Sequence, residues 1–450
     1  MPIHVTDSLI FRDFYSTEPM RALFEDRHLV QCWLDVEAAL ARAQARLGII
    51  PAAAADEITR QARAEHIDLE SLRQSMNLVG YPIVGLVKGL AAACSGEAGR
   101  YVHWGATTQD IMDTGNVLQL RGALGLIEGD LARLREILRG LAQRHRDTVM
   151  AGRTHGQHAL PITFGFKVAV WVDELDRHAE RLAQCRPRLL RCSFNGAAGT
   201  LASLGDQGWA VHLALAEELE LAPAPIAWHT ARDSFGEFVA ICGLLTATLG
   251  KVAREIAVLQ QNEFGEVEEP FVHGKGASST MPQKRNPILC ETVIGLAGLV
   301  RQQVPSMLHA MQPEHERAMG EWHIEWDLLP HTCQLTHAAL QHSIAIFSGL
   351  VVYPERMRQN LDLTGGLIVA EAVMMRLGQF LGRQRAHEVV YEACAAAIAQ
   401  GQTLFETLST LPEITDHLST DQLRTLLDPA GYVGLAPFFA DQVSDAASQG

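Results

Sequence analysis

Between Asp110 and Met150 the residues Val117, Leu120, Leu124, Ile127, Leu131, Leu134, Leu138 and Leu141 recur at alternating spacings of three and four. That is a heptad seam, the signature of one long helix rather than of strands, which alternate every second residue. At a rise of roughly 1.5 Å per residue the helix runs about 45 Å. A seam of that length needs equally long neighbours to cover it. Residues 162–190 follow Pro161, place Trp171, Leu175 and Leu182 on one face, and are expected to stop near Pro187. Residues 234–262, 287–312 and 324–350 supply three more candidates, the second opening on a proline that suits a first helical turn. Strand-like alternation is scarce, although a few connections have room for small hairpins. The expected fold class is all-α: a central bundle of long antiparallel helices over residues 109–350, between an N-terminal helical domain (1–108) and a C-terminal one (351–450). Helices this long seldom bury every apolar face in one chain, so subunit association is expected.

Composition narrows the function classes. Of 450 residues, 48% are hydrophobic, ample for a large core, and the net charge of −15 repels polyanions. Nucleic acid is therefore not an expected partner, whereas a small anion in a locally basic pocket is compatible. The eight cysteines form no C-x-x-C pair and sit in apolar helical text, which points to buried thiols in a reducing, cytoplasmic setting. No basic segment followed by an apolar stretch opens the chain, and no run of eighteen apolar residues occurs, so neither export nor membrane insertion is expected.

Leucines at heptad spacing are explained by packing; three glycine-marked polar stretches are not. In Gly105-Ala-Thr-Thr-Gln-Asp110 two hydroxyls, Thr107 and Thr108, precede the long helix, where N–H groups and threonines can hold a carboxylate. The same residues also read as a plain helix cap. Gly152-Arg-Thr-His-Gly-Gln-His-Ala-Leu-Pro161 gathers Arg153, Thr154, His155, Gln157 and His158 in a short loop between two long helices. Histidine is the side chain best suited to proton transfer near neutral pH. Gly276-Ala-Ser-Ser-Thr-Met-Pro-Gln-Lys-Arg-Asn286 is glycine-rich, overlaps a loop over 272–285 expected to be mobile when empty and to close over substrate, and puts Lys284 and Arg285 at a helix start, where cations oppose the macrodipole. A local rule broken in this way points to an anionic ligand. No H-E-x-x-H, phosphate loop, Rossmann fingerprint or G-x-S-x-G elbow is present, so no metal or cofactor is expected.

At this third stretch the chain resembles a known family. Ser278 to Asn286, with Glu291, is similar to the S-S-x-M-P-x-K-x-N-x-x-x-x-E pattern of the fumarase/aspartase superfamily. Gly105–Asp110 and Arg153–Gln157 resemble its other two motifs, in the family's order. The stretches 24–50, 314–326 and 427–434 most resemble 3-carboxy-cis,cis-muconate cycloisomerases. The resemblance implies a three-domain helical subunit, four of which share a twenty-helix core, each active site taking one motif from each of three chains. It implies β-elimination on a small succinyl-type polycarboxylate by C–N or C–O cleavage, with a fumarate-type product. Ser278 is implied as the base, His155 as the acid oriented by Glu291, and Lys284 as a catalytic cation. Thr107, Thr108, Arg153, Thr154, Gln157, Ser279, Met281, Asn286 and Arg317 are implied as substrate ligands. The position of His155 often lacks a histidine in the cycloisomerases, and its loop resembles adenylosuccinate lyase. Met76-Asn-Leu-Val-Gly-Tyr-Pro82, however, stands where that enzyme carries Thr-Arg-His-Asp for its nucleotide. Lactonisation of carboxymuconate and cleavage of adenylosuccinate are the alternative activities. An inactive crystallin-like structural protein is the alternative from another class, and it would be expected to show a damaged serine loop.

Overall fold

The computed structural model describes residues 4–270, 281, 283–317 and 320–445. The elements that position the site are, in order, α1 (Asp26–Arg46), α2 (Leu69–Val79), α3 (Thr108–Arg144), β1 (Val149–Thr154), β2 (Gln157–Thr163), α4 (Phe164–Leu189), α5 (Asp233–Leu259), α6 (Ile288–Ala310), α7 (Glu321–Ser348), α8 (Ala370–Leu381) and α9 (Arg383–Gln400). The heptad seam lies on α3, and each of its eight residues is at most 2% exposed. At 37 residues α3 is about 55 Å long, longer than the seam alone required.

The chain divides into two compact units, and the divisions fall inside the long helices. The first comprises Met1–Leu131, His178–Gly250 and Gly295–Gln341; the second comprises Ala132–Arg177, Lys251–Ile294 and His342–Gly450. In the first, Asp130 on α3 receives His337 (2.8 Å) and Gln341 (2.5 Å) from α7, and Glu128 pairs with Arg186 of α4 at 2.7 Å. In the second, Arg135 and Arg139 of α3 share Asp176 of α4 at 2.5 and 2.7 Å, and Lys167 of α4 meets Glu255 of α5 at 2.7 Å. Such partly exposed pairs add little stability, but they fix the register in which apolar faces meet. The second unit also holds a core around Val373, Leu377, Val389, Leu404 and Leu408, contributed by α8, α9 and the segments after them.

One expectation needs correction and two others gain detail. Helix α4 ends near Pro187 as expected, at Leu189, its last turn held by fully buried Cys185 and Leu189. The connection after α3 is not an irregular loop: β1 and β2 form an antiparallel hairpin. Finally, α5 is long and apolar enough to cross a membrane by length and composition, although it contains charges. Most of that stretch is buried within the protein, and Glu237 and Glu255 on it are paired with Arg188 and Lys167, as in a core helix.

Candidate active site

The first motif is built around a buried carboxylate. Asp110, in the first turn of α3, accepts the backbone N–H groups of Thr107 (3.0 Å), Asn195 (2.9 Å) and Gly196 (3.0 Å), and its Oδ1 lies 2.8 Å from His229 Nε2. It thereby ties the turn before α3 to the loop 195–200. Asp113, one turn on, meets the buried Arg232 with both oxygens at 2.7 and 2.9 Å, and Arg232 also reaches Glu325 at 2.5 and 2.8 Å. Burial disfavours the guanidinium charge, but these two carboxylates hold Arg232 well above its ordinary range. The ring centres of Trp228 and Phe235 each lie 4.9 Å from the same guanidinium.

On this base sits Arg317. Its nitrogens donate to Thr107 Oγ1 (3.1 Å), Gln109 Oε1 (3.1 Å) and the carbonyl of Ala197 (3.0 Å). All three acceptors are uncharged, and no carboxylate among the described residues pairs with it. A guanidinium oriented by neutral groups keeps its charge for an anion. Thr108 is the first residue of α3, where unpaired helix N–H groups lie. The loop Asn195-Gly-Ala-Ala-Gly-Thr200 escaped the sequence reading; its glycine-punctuated polar text was the available signal.

The second motif is the hairpin tip. Thr154 pairs with Gln157, leaving His155 and Gly156 as a two-residue turn with φ of 53° and 75°. Positive φ at both positions makes it a type I′ turn, whose twist matches that of the flanking strands. Thr154, His155 and Gln157 are exposed. Below the tip a bulge falls between Ala151 and Arg153, and a Cβ on Gly152 would come within 2.7 Å of the Leu160 carbonyl oxygen. Arg153 is not offered to a ligand: it makes a two-pronged pair with the fully buried Glu266 at 2.6 and 3.0 Å and lies 4.9 Å from the Phe264 ring centre. His158 is pushed down by burial and by Arg153, which keeps it neutral, and its buried Nδ1 has no hydrogen-bond partner among the described residues. Ala151 packs with Leu361, Ile368 and Val369, fixing the base of the hairpin.

Of the third motif, Ser278 and Ser279 lie outside the described residues. Met281, Lys284, Asn286 and Glu291 line one cleft of 1210 Å³ together with Gln260, Glu268 and Tyr353. Of the two cations ahead of α6, Arg285 is not left to a ligand as expected. Arg285 pairs with Glu268 at 2.6 Å, and the buried Glu269 carboxylate caps α6 by accepting the N–H groups of Leu289 (3.1 Å) and Cys290 (2.6 Å). Lys284 has no ion pair among the described residues. His155 neither lines this cleft nor hydrogen-bonds Glu291, so the acid–carboxylate pair is not formed within one chain.

The chain is similar to several known proteins over most of its length. Residues 14–301 match the family model described as "Lyase", and residues 366–443 match "Adenylosuccinate lyase C-terminus". The chain is 48% identical over 430 residues to 3-carboxy-cis,cis-muconate cycloisomerase of Pseudomonas aeruginosa, covering 95% of this chain and 94% of that one. It is 47% identical over 431 residues to trans-aconitate decarboxylase 1 of Mycosarcoma maydis, covering 96% and 87%. The solved structure of the 3-carboxy-cis,cis-muconate lactonizing enzyme from Pseudomonas putida superposes with a TM-score of 0.93 at 43% identity, covering 98% and 99%. The chain is a lyase of the fumarase/aspartase superfamily, mostly helical and with the fumarase-like fold.

Proposed function

We propose that the enzyme catalyses reversible β-elimination on a small succinyl-type polycarboxylate, breaking a C–N or C–O bond and leaving a fumarate-type product. The observation that carries this reading is Arg317, a guanidinium held beside Thr107 by acceptors that, among the described residues, are all neutral. It supplies what one substrate carboxylate needs. Removing a proton from the carbon next to a second carboxylate builds a doubly charged aci-carboxylate, which requires preorganised donors. Lys284 and Asn286 are assigned to that oxyanion, Ser278 to proton abstraction and His155 to protonation of the leaving atom. Thr108, Thr154, Gln157, Ser279 and Met281 are assigned to the substrate's remaining contacts, and Arg153 to holding the hairpin.

The test is a substrate panel of N-succinyl amines, O-succinyl ethers, adenylosuccinate and 3-carboxy-cis,cis-muconate, followed by the absorbance of the unsaturated product. Turnover is expected with a succinyl amine or ether. Adenylosuccinate is expected to be poor, because the Met76–Pro82 stretch offers an 87% exposed Leu78 and no charge to a nucleotide. A second reading, lactonisation, is favoured by the 48% identity to a cycloisomerase. Turnover of carboxymuconate alone would replace the first reading with the second.

The proposal includes a homotetramer with shared sites. It is supported by the separation of His155 from Glu291 and by apolar side chains left open on the long helices: Val170, Leu244, Leu299 and Leu308 are 39–52% exposed. A Cβ on Gly295 or Gly298 of α6 would meet nothing within 4 Å, which leaves room for another helix to approach closely. Mixing inactive His155→Ala and Ser278→Ala proteins under subunit exchange is expected to restore part of the activity. Full activity from a monomer in light scattering would exclude shared sites.

A further inference from the structure

Within the second unit the short strand Val267–Glu268 pairs antiparallel with Val351–Val352, and the backbone N–H of Tyr353 donates to the Glu266 carbonyl at 3.0 Å. Three of the four residues from Glu266 to Glu269 are acids, and each is met by a different part of the chain. Glu266 holds Arg153 of the hairpin and accepts Asn360 Nδ2 at 2.7 Å. Glu269 caps α6. Glu268 accepts Arg285 at 2.6 Å with one oxygen and the Tyr353 hydroxyl at 2.6 Å with the other. Neighbouring acids repel one another, and apolar residues often replace a buried ion pair without loss of stability. Stability alone therefore does not account for such a strand.

Arg285 stands between Lys284 and Asn286, and its backbone is held as well as its side chain. The Gln260 amide nitrogen donates to the Arg285 carbonyl at 3.3 Å, and the Gln260 amide oxygen accepts the Glu269 N–H at 3.0 Å. Gln260, Glu268 and Tyr353 line the same cleft as Lys284, Asn286 and Glu291. Burial works against the Glu268 charge, but Tyr353 and Arg285 more than offset it and hold the carboxyl below its ordinary range. Its grip on Arg285 therefore persists at neutral pH. A residue fixed at both its guanidinium and its carbonyl leaves its two neighbours little freedom, and a reacting constellation needs its supports locked in this way.

We propose that Glu268 and Gln260 are positioning residues of the reaction, with Tyr353 orienting the Glu268 carboxylate. Through Arg285 they set where the Lys284 ammonium and the Asn286 amide stand as charge builds on the substrate. The proposal rests on the assignment of those two groups to the oxyanion. Its test compares Glu268→Ala, Arg285→Ala and the charge swap Glu268→Arg/Arg285→Glu, each shown to be folded by thermal melting, on a substrate of the panel above. Each single variant is expected to lower kcat about 10- to 100-fold, the effect of a small misplacement at a reacting group. KM should not change, because the displaced groups act on the transition state and not on the bound substrate. The swap should restore part of the loss, which it could not do if Arg285 or Glu268 met the substrate directly. Tyr353→Phe, a milder change, should lower kcat in the unaltered enzyme and have no further effect beside Glu268→Ala, since it acts through that carboxylate. Hydrogen exchange gives a readout independent of turnover: amides in 283–290 should exchange faster in both single variants and slow again in the swap. Unchanged kcat or unchanged exchange in folded Glu268→Ala overturns the proposal, and so does a swap that recovers nothing. Lys284→Met separates the two readings. If it loses kcat while Glu268→Ala and Arg285→Ala keep theirs, the strand's role falls and the oxyanion assignment stands. If Lys284→Met keeps its kcat, the assignment falls and the proposal falls with it.

Discussion

Replacing His155 with asparagine is expected to lower kcat on an amine-releasing substrate by about 10²–10⁴-fold, the span usual for general acid–base catalysis. The substitution isolates chemistry from structure. His155 occupies a left-handed backbone conformation at φ 53°, which asparagine adopts more readily than most residues. The hairpin should therefore keep its turn, and the melting temperature should not fall. A departing amine needs a proton on nitrogen as the C–N bond breaks, and asparagine has none to give. In lactone formation the leaving carboxylate is already a stable anion, so the same variant should lose far less on carboxymuconate. An unchanged kcat on a succinyl amine, with the protein folded, would remove His155 from its assigned role.

Replacing Arg232 with methionine is expected to destabilise the protein by about 3–5 kcal/mol, because it strands two buried carboxylates. Asp113 and Glu325 are both fully buried, and Arg232 supplies four of their hydrogen bonds. The remaining donors to Asp113, Gln109 at 3.1 Å and Trp322 at 3.3 Å, are neutral and cannot offset the charge. The triple variant Arg232→Met/Asp113→Asn/Glu325→Gln should recover a large part of the loss, since no unpaired charge then remains. Denaturant unfolding of the two proteins measures the difference. A single variant as stable as the triple one would show that the cluster does not hold its charges as described. Activity should follow stability here, because Gln109 links this cluster to Arg317.

The long helices were legible because a periodic apolar pattern is a local property of the text, and burial of the α3 seam follows from its spacing alone. The positions of Thr107, Thr108 and the Arg153–Gln157 stretch were also legible, since glycines and polar residues interrupt that pattern. Pairings across the chain were not. Arg153 reads as a ligand for an anion until Glu266, 113 residues away, is found against it. Arg285 reads as a violation of the helix dipole until Glu268 is found against it and Glu269 is seen to cap the helix start. In both cases a charge was visible and its partner, distant in sequence or placed by a short strand, was not. The turn at His155 was missed for another reason. Its strands are short and alternate weakly, and the usual hairpin text has asparagine or aspartate before glycine.

The same turn limits how this enzyme and its relatives can diverge. Most surface connections tolerate added or deleted residues, because their ends can relax around the change. Here one inserted residue would alter the loop class and shift the imidazole by about 3 Å, the length of a residue of extended chain. A misplacement of about 1 Å at a reacting group can already cost two orders of magnitude in rate. The identity of the residue is narrowed as well, since β-branched or bulky side chains are poorly accommodated at that backbone angle. Evolution or design can exchange the side chain at this apex cheaply only among residues that accept the left-handed conformation, and only at constant length.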